Sequence, residues 1–382
     1  MSEPYILYGS ECSYFTAKVH AYLRAKQEPY VERVNADPGY RQRARVAVGY
    51  DVIPIVETPD GMIIQDSVEI IDHLEPLFPK RPTYPQTAVL GWTARFLACY
   101  ASHFLIRAGL HYRWSFPDEN LSFIEHEFGR TICPRGPKEV QIAFGKKIAK
   151  RPLGAYRIIG LTPETIPGVE ASCEALMVRL DLHFEQHPYL LGGQPTLADY
   201  AFMAPFYGHF ARDPYPSSLM KRIAPNLFRW TERMMYPGPS PEFHDYPAPL
   251  FPDTELPETL TNIMTQAGGE FAGELGQTIT AFETWLRDHP EIDAGVQLPT
   301  VGGGGSLGSH EISLHGTKLN VPTRLNMIWE HQKSKAFYDN LASGERQRLD
   351  IFLREIGAFT LMQQLINRPL VRKNYGFVVS NG

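Results

Sequence analysis

Cysteine is scarce in this chain: four in 382 residues, at positions 12, 99, 133 and 173. Their wide, unpaired spacing argues against a disulfide framework and against a zinc site. An excess of charge of one sign is lacking too. The 37 basic and 42 acidic residues are interspersed and leave a net charge of −5, so no nucleic-acid footprint and no polybasic membrane anchor are expected. No run of consecutive apolar residues approaches the ~20 that a membrane-spanning helix needs. The first strand pattern begins almost at Met1, which leaves no room for a secretory leader, and a cytoplasmic location is the expectation. What is plentiful is hydrophobic content, 43%, enough for two or three packed domains at this length.

The richest stretch is 5–77. It reads strand (5–9), loop, helix (13–25), strand (30–34), short helix, strand (53–58), hairpin, strand (62–65), helix (67–77), a βαβ unit followed by a ββα unit. Ile53-Pro54 opens an apolar β-branched run. A proline there removes a ladder donor, so an edge, a bulge or a cis turn is required, and a cis bond is expected. Asp60-Gly61 between two apolar runs is a strong hairpin signal, so these strands should pair antiparallel. Asp66-Ser67 precedes Val68, Ile70, Ile71 and Leu74. One of the pair should cap a helix whose free N–H groups and dipole favour an anion. Farther on, Thr196 as N-cap and Asp199 at N3 can satisfy each other's backbone donors ahead of Tyr200, Phe202 and Met203.

Tyr8-Gly-Ser-Glu-Cys-Ser-Tyr-Phe-Thr-Ala-Lys-Val, Val52-Ile-Pro-Ile-Val and Gln65-Asp-Ser-Val-Glu-Ile-Ile-Asp-His-Leu resemble the thioredoxin-like domain of the cytosolic glutathione transferase superfamily. Leu190-Leu-Gly-Gly-Gln-Pro-Thr-Leu-Ala-Asp-Tyr resembles the capping-box motif of that superfamily's helical domain. The resemblance covers about residues 4–236; beyond it there is a looser likeness to long bacterial members. It implies an α/β thioredoxin-like domain (1–79) with a mixed sheet and an all-α helical-bundle domain (86–236); proline content and helical periodicity add a Pro-rich linker (237–257) and a mainly helical extension (258–382). It also implies glutathione as co-substrate, a small hydrophobic electrophile as second substrate, no metal, detoxifying conjugation and a twofold homodimer.

Site residues follow from the same match. Ser13 opens the first helix where many glutathione transferases carry the residue that meets glutathione sulfur. A hydroxyl donor plus a helix N-terminus can stabilise a thiolate, each unit of pKa lowering needing roughly 1.4 kcal/mol. Cys12 is the rival. A thiol ahead of a helix N-terminus is expected to have a lowered pKa and to form a mixed disulfide with glutathione, which would make the chain a thioltransferase. With Ser13 and Thr16 at the two ends of the Cys-x-x-Cys frame, dithiol cycling is not expected. The backbone of Ile53, held open by Pro54, can take the cysteinyl peptide. Asp66 and Ser67 can take the γ-glutamyl end, Asp66 standing where the superfamily usually has Glu or Gln. Tyr50-Asp51-Val52 replaces the usual Gln or Lys ahead of the proline. Arg41, Arg43 or Arg45 can neutralise the glycyl carboxylate, or form a solvated helix face.

The second substrate is expected over a long amphipathic helix at 86–115, where Tyr100, Phe104, Arg107, His111 and Trp114 share one face by their spacing of three and four, with Tyr14 of the first helix in reach. Core packing is the competing reading for each. Prolines at 237, 239, 241, 247, 249, 252 and 257 mark an extended linker. Helical periodicity resumes at Leu260–Leu286 and Leu325–Leu341, with a small hairpin centred on Gly316 and a turn at Gly302–Gly305 between them. Beside transfer, ether or halide cleavage by the same thiolate and a non-catalytic scaffold using the extension as a binding surface stand as alternatives.

Overall fold

The computed structural model describes residues 3–238, 240–300 and 305–381. Pro239 of the expected linker and Gly302 to Gly304 of the expected turn lie outside them. Strand β1 (Tyr5–Tyr8) pairs parallel with β2 (Tyr30–Arg33) through helix α1 (Tyr14–Lys26). Strand β3 (Ile55–Glu57) runs antiparallel to β1, and β4 (Ile63–Gln65) antiparallel to β3, giving the sheet order β2-β1-β3-β4. The β3–β4 turn closes through Thr58 N–H to Met62 O at 2.9 Å, with Gly61 at φ 85°. That backbone angle is one glycine adopts without a Cβ penalty. Ile53-Pro54 is cis. Short helix α2 (Arg45–Val48) follows a wide turn, and α3 (Ser67–Leu74) is capped by Asp66, whose side chain accepts from Val68 N–H.

The helical part comprises α4 (Ala88–His103), α5 (Ile106–Trp114), α6 (Pro117–Arg130), α7 (Lys138–Ile158), α8 (Ile166–Gln186), α9 (Leu197–Pro205), α10 (Pro214–Ile223) and α11 (Pro225–Met235). The unbroken helix expected at 86–115 is interrupted at Phe104–Leu105. Both of their amides donate to Tyr100 O, at 2.8 and 3.2 Å, and this wide turn separates α4 from α5. The stretch Ala88–Trp114 is long and apolar enough by length and composition to cross a membrane, but it is core, with 89% of that window buried inside the fold. Helices α6 and α7 touch backbone to backbone. A Cβ on Gly129 would fall 1.7 Å from Gln141 O, and one on Gly145 1.7 Å from Glu125 O, so only glycine permits this approach. The capping box at α9 forms as the residues predict, and buried Asp199 also accepts from Leu190 N–H and Trp230 Nε1.

The segment after α11 runs over the surface, joined to the helical part by Phe251 N–H to Leu191 O (3.0 Å) and Gly193 N–H to Pro249 O (3.1 Å). The last third begins with α12 (Glu258–Asp288), followed by a hairpin of β5 (Ser306–Leu314) and β6 (Thr317–Arg324) turning at His315-Gly316. Then come α13 (Leu325–Asp339), α14 (Ser343–Glu355), α15 (Phe359–Gln363) and a second hairpin, β7 (Leu370–Lys373) with β8 (Gly376–Val379), which the sequence pattern did not predict. One continuous buried cluster draws on all three regions, among them Leu7 and Ile71, Trp92 and Phe202, and Phe271 and Ile328. The extension is thus part of the core, with α13 packed along α4 and α12 between α8 and the β5–β6 hairpin.

Candidate functional site

Strand register assembles one end of the sheet. Tyr8 stands opposite Ile55, and Ile55 opposite Gln65. The chain leaving β1 at Tyr8 enters the 9–13 loop and α1; the chain entering β3 at Ile55 comes from cis Ile53-Pro54; the chain leaving β4 at Gln65 becomes Asp66-Ser67 and α3. This single row therefore places Ser13, Ile53, Pro54, Asp66 and Ser67 at the same edge of the domain. Asp66 adopts φ 88°, an unusual value for a residue with a side chain, and its Oδ1 accepts from Val68 N–H at 2.8 Å. The other N–H groups of the first α3 turn lie at the same end and have no intrahelical acceptor.

Ser13 is the N-cap of α1 and partly exposed; its Oγ accepts from Thr16 N–H at 3.3 Å. Cys12 is buried, with Sγ 3.1 Å from Ser10 Oγ, and packs against Ile124, Phe128 and Ala149 of the helical part. Burial pushes its thiol above the ordinary value, despite the opposing Arg113 charge and Ser10 hydroxyl. This is the reverse of the lowering expected from a helix N-terminus, because the side chain is buried among apolar residues of the helical part. The loop itself is fixed by Arg113, which donates to Cys12 O (2.8 Å) and Gly208 O (2.9 Å) and is bidentate to buried Asp213 (2.6 and 2.9 Å). Sequence reading missed Arg113, as its partners lie about 100 residues away in either direction.

The expected second-substrate face is covered. Tyr100 donates to Glu270 (2.9 Å), Phe104 stacks on Tyr100, and Arg107 is bidentate to Glu274 (2.7 and 2.6 Å), all against α12. His111 bonds Glu170 (2.7 Å) and Ser115 (2.8 Å), while Tyr14 is buried and donates to Ala101 O (2.6 Å). The space left beside Phe104 and Arg107 is about 10 Å³, too small for an organic electrophile. The physical reason is that the extension buries the aromatic stripe as core. Arg43 pairs with Glu57, Arg45 with Asp51, and Arg41 donates to Asn35 O, so each of these arginines has a local partner.

Larger spaces lie where the extension meets the first domain. One, about 380 Å³, is bounded by Lys18, Asp72, Arg95, Glu330 and Lys333. Another, about 290 Å³, lies between Gln65-Asp66 and the β7–β8 hairpin. Near the first, Cys99, His103 and Glu330 hold metal-ligand atoms within 4.8 Å of one another. Each already has a protein partner: His103 Nε2 and Glu330 meet at 3.1 Å, Lys18 Nζ lies 3.8 Å from Glu330, and Cys99 Sγ lies 3.7 Å from Met327 O. Burial lowers the His103 pKa although Glu330 opposes it.

Comparison with known proteins finds family patterns in two segments of the chain. Residues 7–82 match the model of the glutathione S-transferase N-terminal domain, and residues 163–233 that of the C-terminal domain. Two segments of the chain thus carry the patterns of glutathione S-transferase domains. No curated protein matches it at a significant level. Solved superfamily structures similar to it include a glutathione S-transferase from Methylobacterium radiotolerans in complex with glutathione sulfonate, at 18% identity over 64% of this chain and 94% of that one (TM-score 0.37). Another is a beta-etherase from Sphingobium, at 16% identity over 61% of this chain and 95% of that one (TM-score 0.41). A third is a glutathione S-transferase of Ceriporiopsis subvermispora in complex with glutathione, at 15% identity over 61% and 99% (TM-score 0.37).

Proposed function

We propose that the chain is a glutathione-dependent transferase or lyase in which Ser13 steadies the glutathione thiolate for attack on a small hydrophobic electrophile. The observation that carries this reading is the Tyr8–Ile55–Gln65 row, which brings the α1 cap, the cis Ile53-Pro54 edge and the α3 N-terminus to one place. Ile53 offers its backbone to the cysteinyl peptide as an added strand. Ser67 and the α3 amides take the γ-glutamyl carboxylate. The Ser13 hydroxyl accepts from Thr16 N–H and still has its own proton to donate to sulfur, so capping and thiolate stabilisation are compatible in one group. Buried Cys12, with its raised pKa, makes the thioltransferase the weaker alternative.

Calorimetry with glutathione tests the reading. Saturable binding by the wild type, weakened roughly tenfold or more in Ser67→Ala, is expected from the loss of one hydrogen bond to a charged group. In Ser13→Ala the bound thiol should titrate about one unit higher, followed by thiolate ultraviolet absorbance, while Cys12→Ala should leave it in place. A folded wild-type chain that binds no glutathione would refute the transferase and leave the scaffold.

A further inference from the structure

The β7–β8 hairpin lies against the very edge that the proposed function uses. Tyr375 donates its hydroxyl to Ile63 O (3.2 Å) on the outer strand β4 and packs on the small apolar cluster of Tyr40, Val48 and Ile55. Arg372 donates to Gln65 Oε1 (2.8 Å), and Asn326 Nδ2 to Asp66 Oδ2 (3.3 Å). Between these residues is the cavity of about 290 Å³. The pairs that bond across it, Asn326 with Asp66 and Arg372 with Gln65, are 260 and 307 positions apart in the chain.

The hairpin is built to hold a shape. Gln332 clamps Leu370 through both of its backbone groups, at 2.9 and 2.8 Å. The Arg372 guanidinium lies over the Phe377 ring, 4.8 Å from its centre. The turn is made by Asn374 and Tyr375, both in the left-handed region at φ 50° and 61°. For tyrosine that conformation costs roughly 1 kcal/mol or more, and its hydroxyl bond to β4 helps hold it. The strained residue thus sits at the rim of the cavity.

Charge defines what fits inside. Arg372 presents a cation and Asp66 an anion to the same space, with the α3 N-terminus alongside. A carboxylate and an ammonium on one carbon match that pair: the zwitterionic end of an α-amino acid. Gln65 occupies a single N–H of a guanidinium that has five.

We propose that the C-terminal extension completes the glutathione site in cis, with Arg372 binding the α-carboxylate of the γ-glutamyl group and Asn326 orienting Asp66 toward its α-ammonium. This rests on the glutathione reading above. It makes the extension a specificity element that selects γ-glutamyl thiols over thiols lacking that end.

The test is calorimetry on the full chain with two ligands, glutathione and γ-aminobutyryl-cysteinylglycine, which is glutathione without its α-carboxylate. Arg372→Ala should weaken glutathione about tenfold, the typical value of a charge-assisted contact, and leave the analogue unchanged. Arg372→Lys should recover part of the loss, Asn326→Ala should weaken glutathione severalfold, and Val371→Ala, on the exposed side of β7, should change neither ligand. Unaltered glutathione affinity in Arg372→Ala, or equal losses for both ligands, would overturn the role of the extension while preserving the glutathione site. No glutathione binding by the wild type would overturn both.

Discussion

Arg107 and Glu274 lie 167 residues apart in sequence and form a bidentate pair that is almost fully buried. Arg324 adds a second cation to Glu274 at 3.3 Å. Burial alone would raise the Glu274 carboxyl; the two arginines hold it below the ordinary value instead. Removing one partner of such a pair leaves uncompensated buried charge. Glu274→Gln should therefore lower stability by about 3 kcal/mol, measured as a shift in the urea midpoint; a loss below about 1 kcal/mol would show the site relaxing or hydrating. The sequence placed Arg107 on the right face of its helix but could not show what that face met, because Glu274 carries no local signal of its partner. The same holds for Cys12, whose side-chain direction depends on the distant Ile124 and Phe128.

At the scale of elements, local rules and long-range contacts divide cleanly. Ser13 before α1, Asp66 before α3 and Thr196 with Asp199 at α9 were legible because donor and acceptor are a few residues apart. So was the Asp60-Gly61 hairpin. Other helices take their caps from afar: Asp253 accepts from Val89 N–H (2.9 Å) and Leu90 N–H (3.2 Å) at the start of α4, and Asp181 from Asn226 N–H and Leu227 N–H at the start of α11. No sequence window contains both halves of these contacts. Asp253→Ala should cost about 1 kcal/mol, as the loss of an ordinary N-cap does, and would be read from the thermal midpoint. An unchanged midpoint would mean that water replaces the carboxylate. The β7–β8 hairpin escaped notice because Asn374-Tyr375 is a poor turn sequence, and the contacts of Tyr375 with Ile63 and Arg372 with Gln65 that help hold it lie some 300 residues away.

Across the whole molecule, buried histidines set the acid limit. His20, His183 and His331, one in each region, are each lowered from 6.5 to about 3, desolvation being the first cause in every case. Unfolded, they take up protons near 6.5; folded, they do not until about 3, so stability is full above 6.5 and is lost as pH falls between those values. Glu274 and Glu330, held below 4.5, withdraw further stability beneath that pH. Three such groups alone give a slope on the order of 4 kcal/mol per pH unit. Glu32, raised to about 7, and Asp199, raised to about 6, act with the opposite sign over the same range, so urea midpoints should fall from about pH 6.5 toward pH 4 with a smaller net slope; a flat profile throughout would refute the assignment. The faces of α3 and α4 that α13 and the β7–β8 hairpin cover are closed to a second copy, so any twofold pairing uses other surface.

The bond from Tyr375 to Ile63 spans 312 residues. At ribosomal speeds of 5–20 residues per second, the outer strand β4 and helix α3 wait roughly a quarter of a minute to a minute before their cover is synthesised. During that interval the nascent chain carries an open strand edge, the kind of surface on which chains pair wrongly. Slow or interrupted translation of the last hundred codons would therefore leave a polypeptide with both matched family segments complete and yet prone to aggregate.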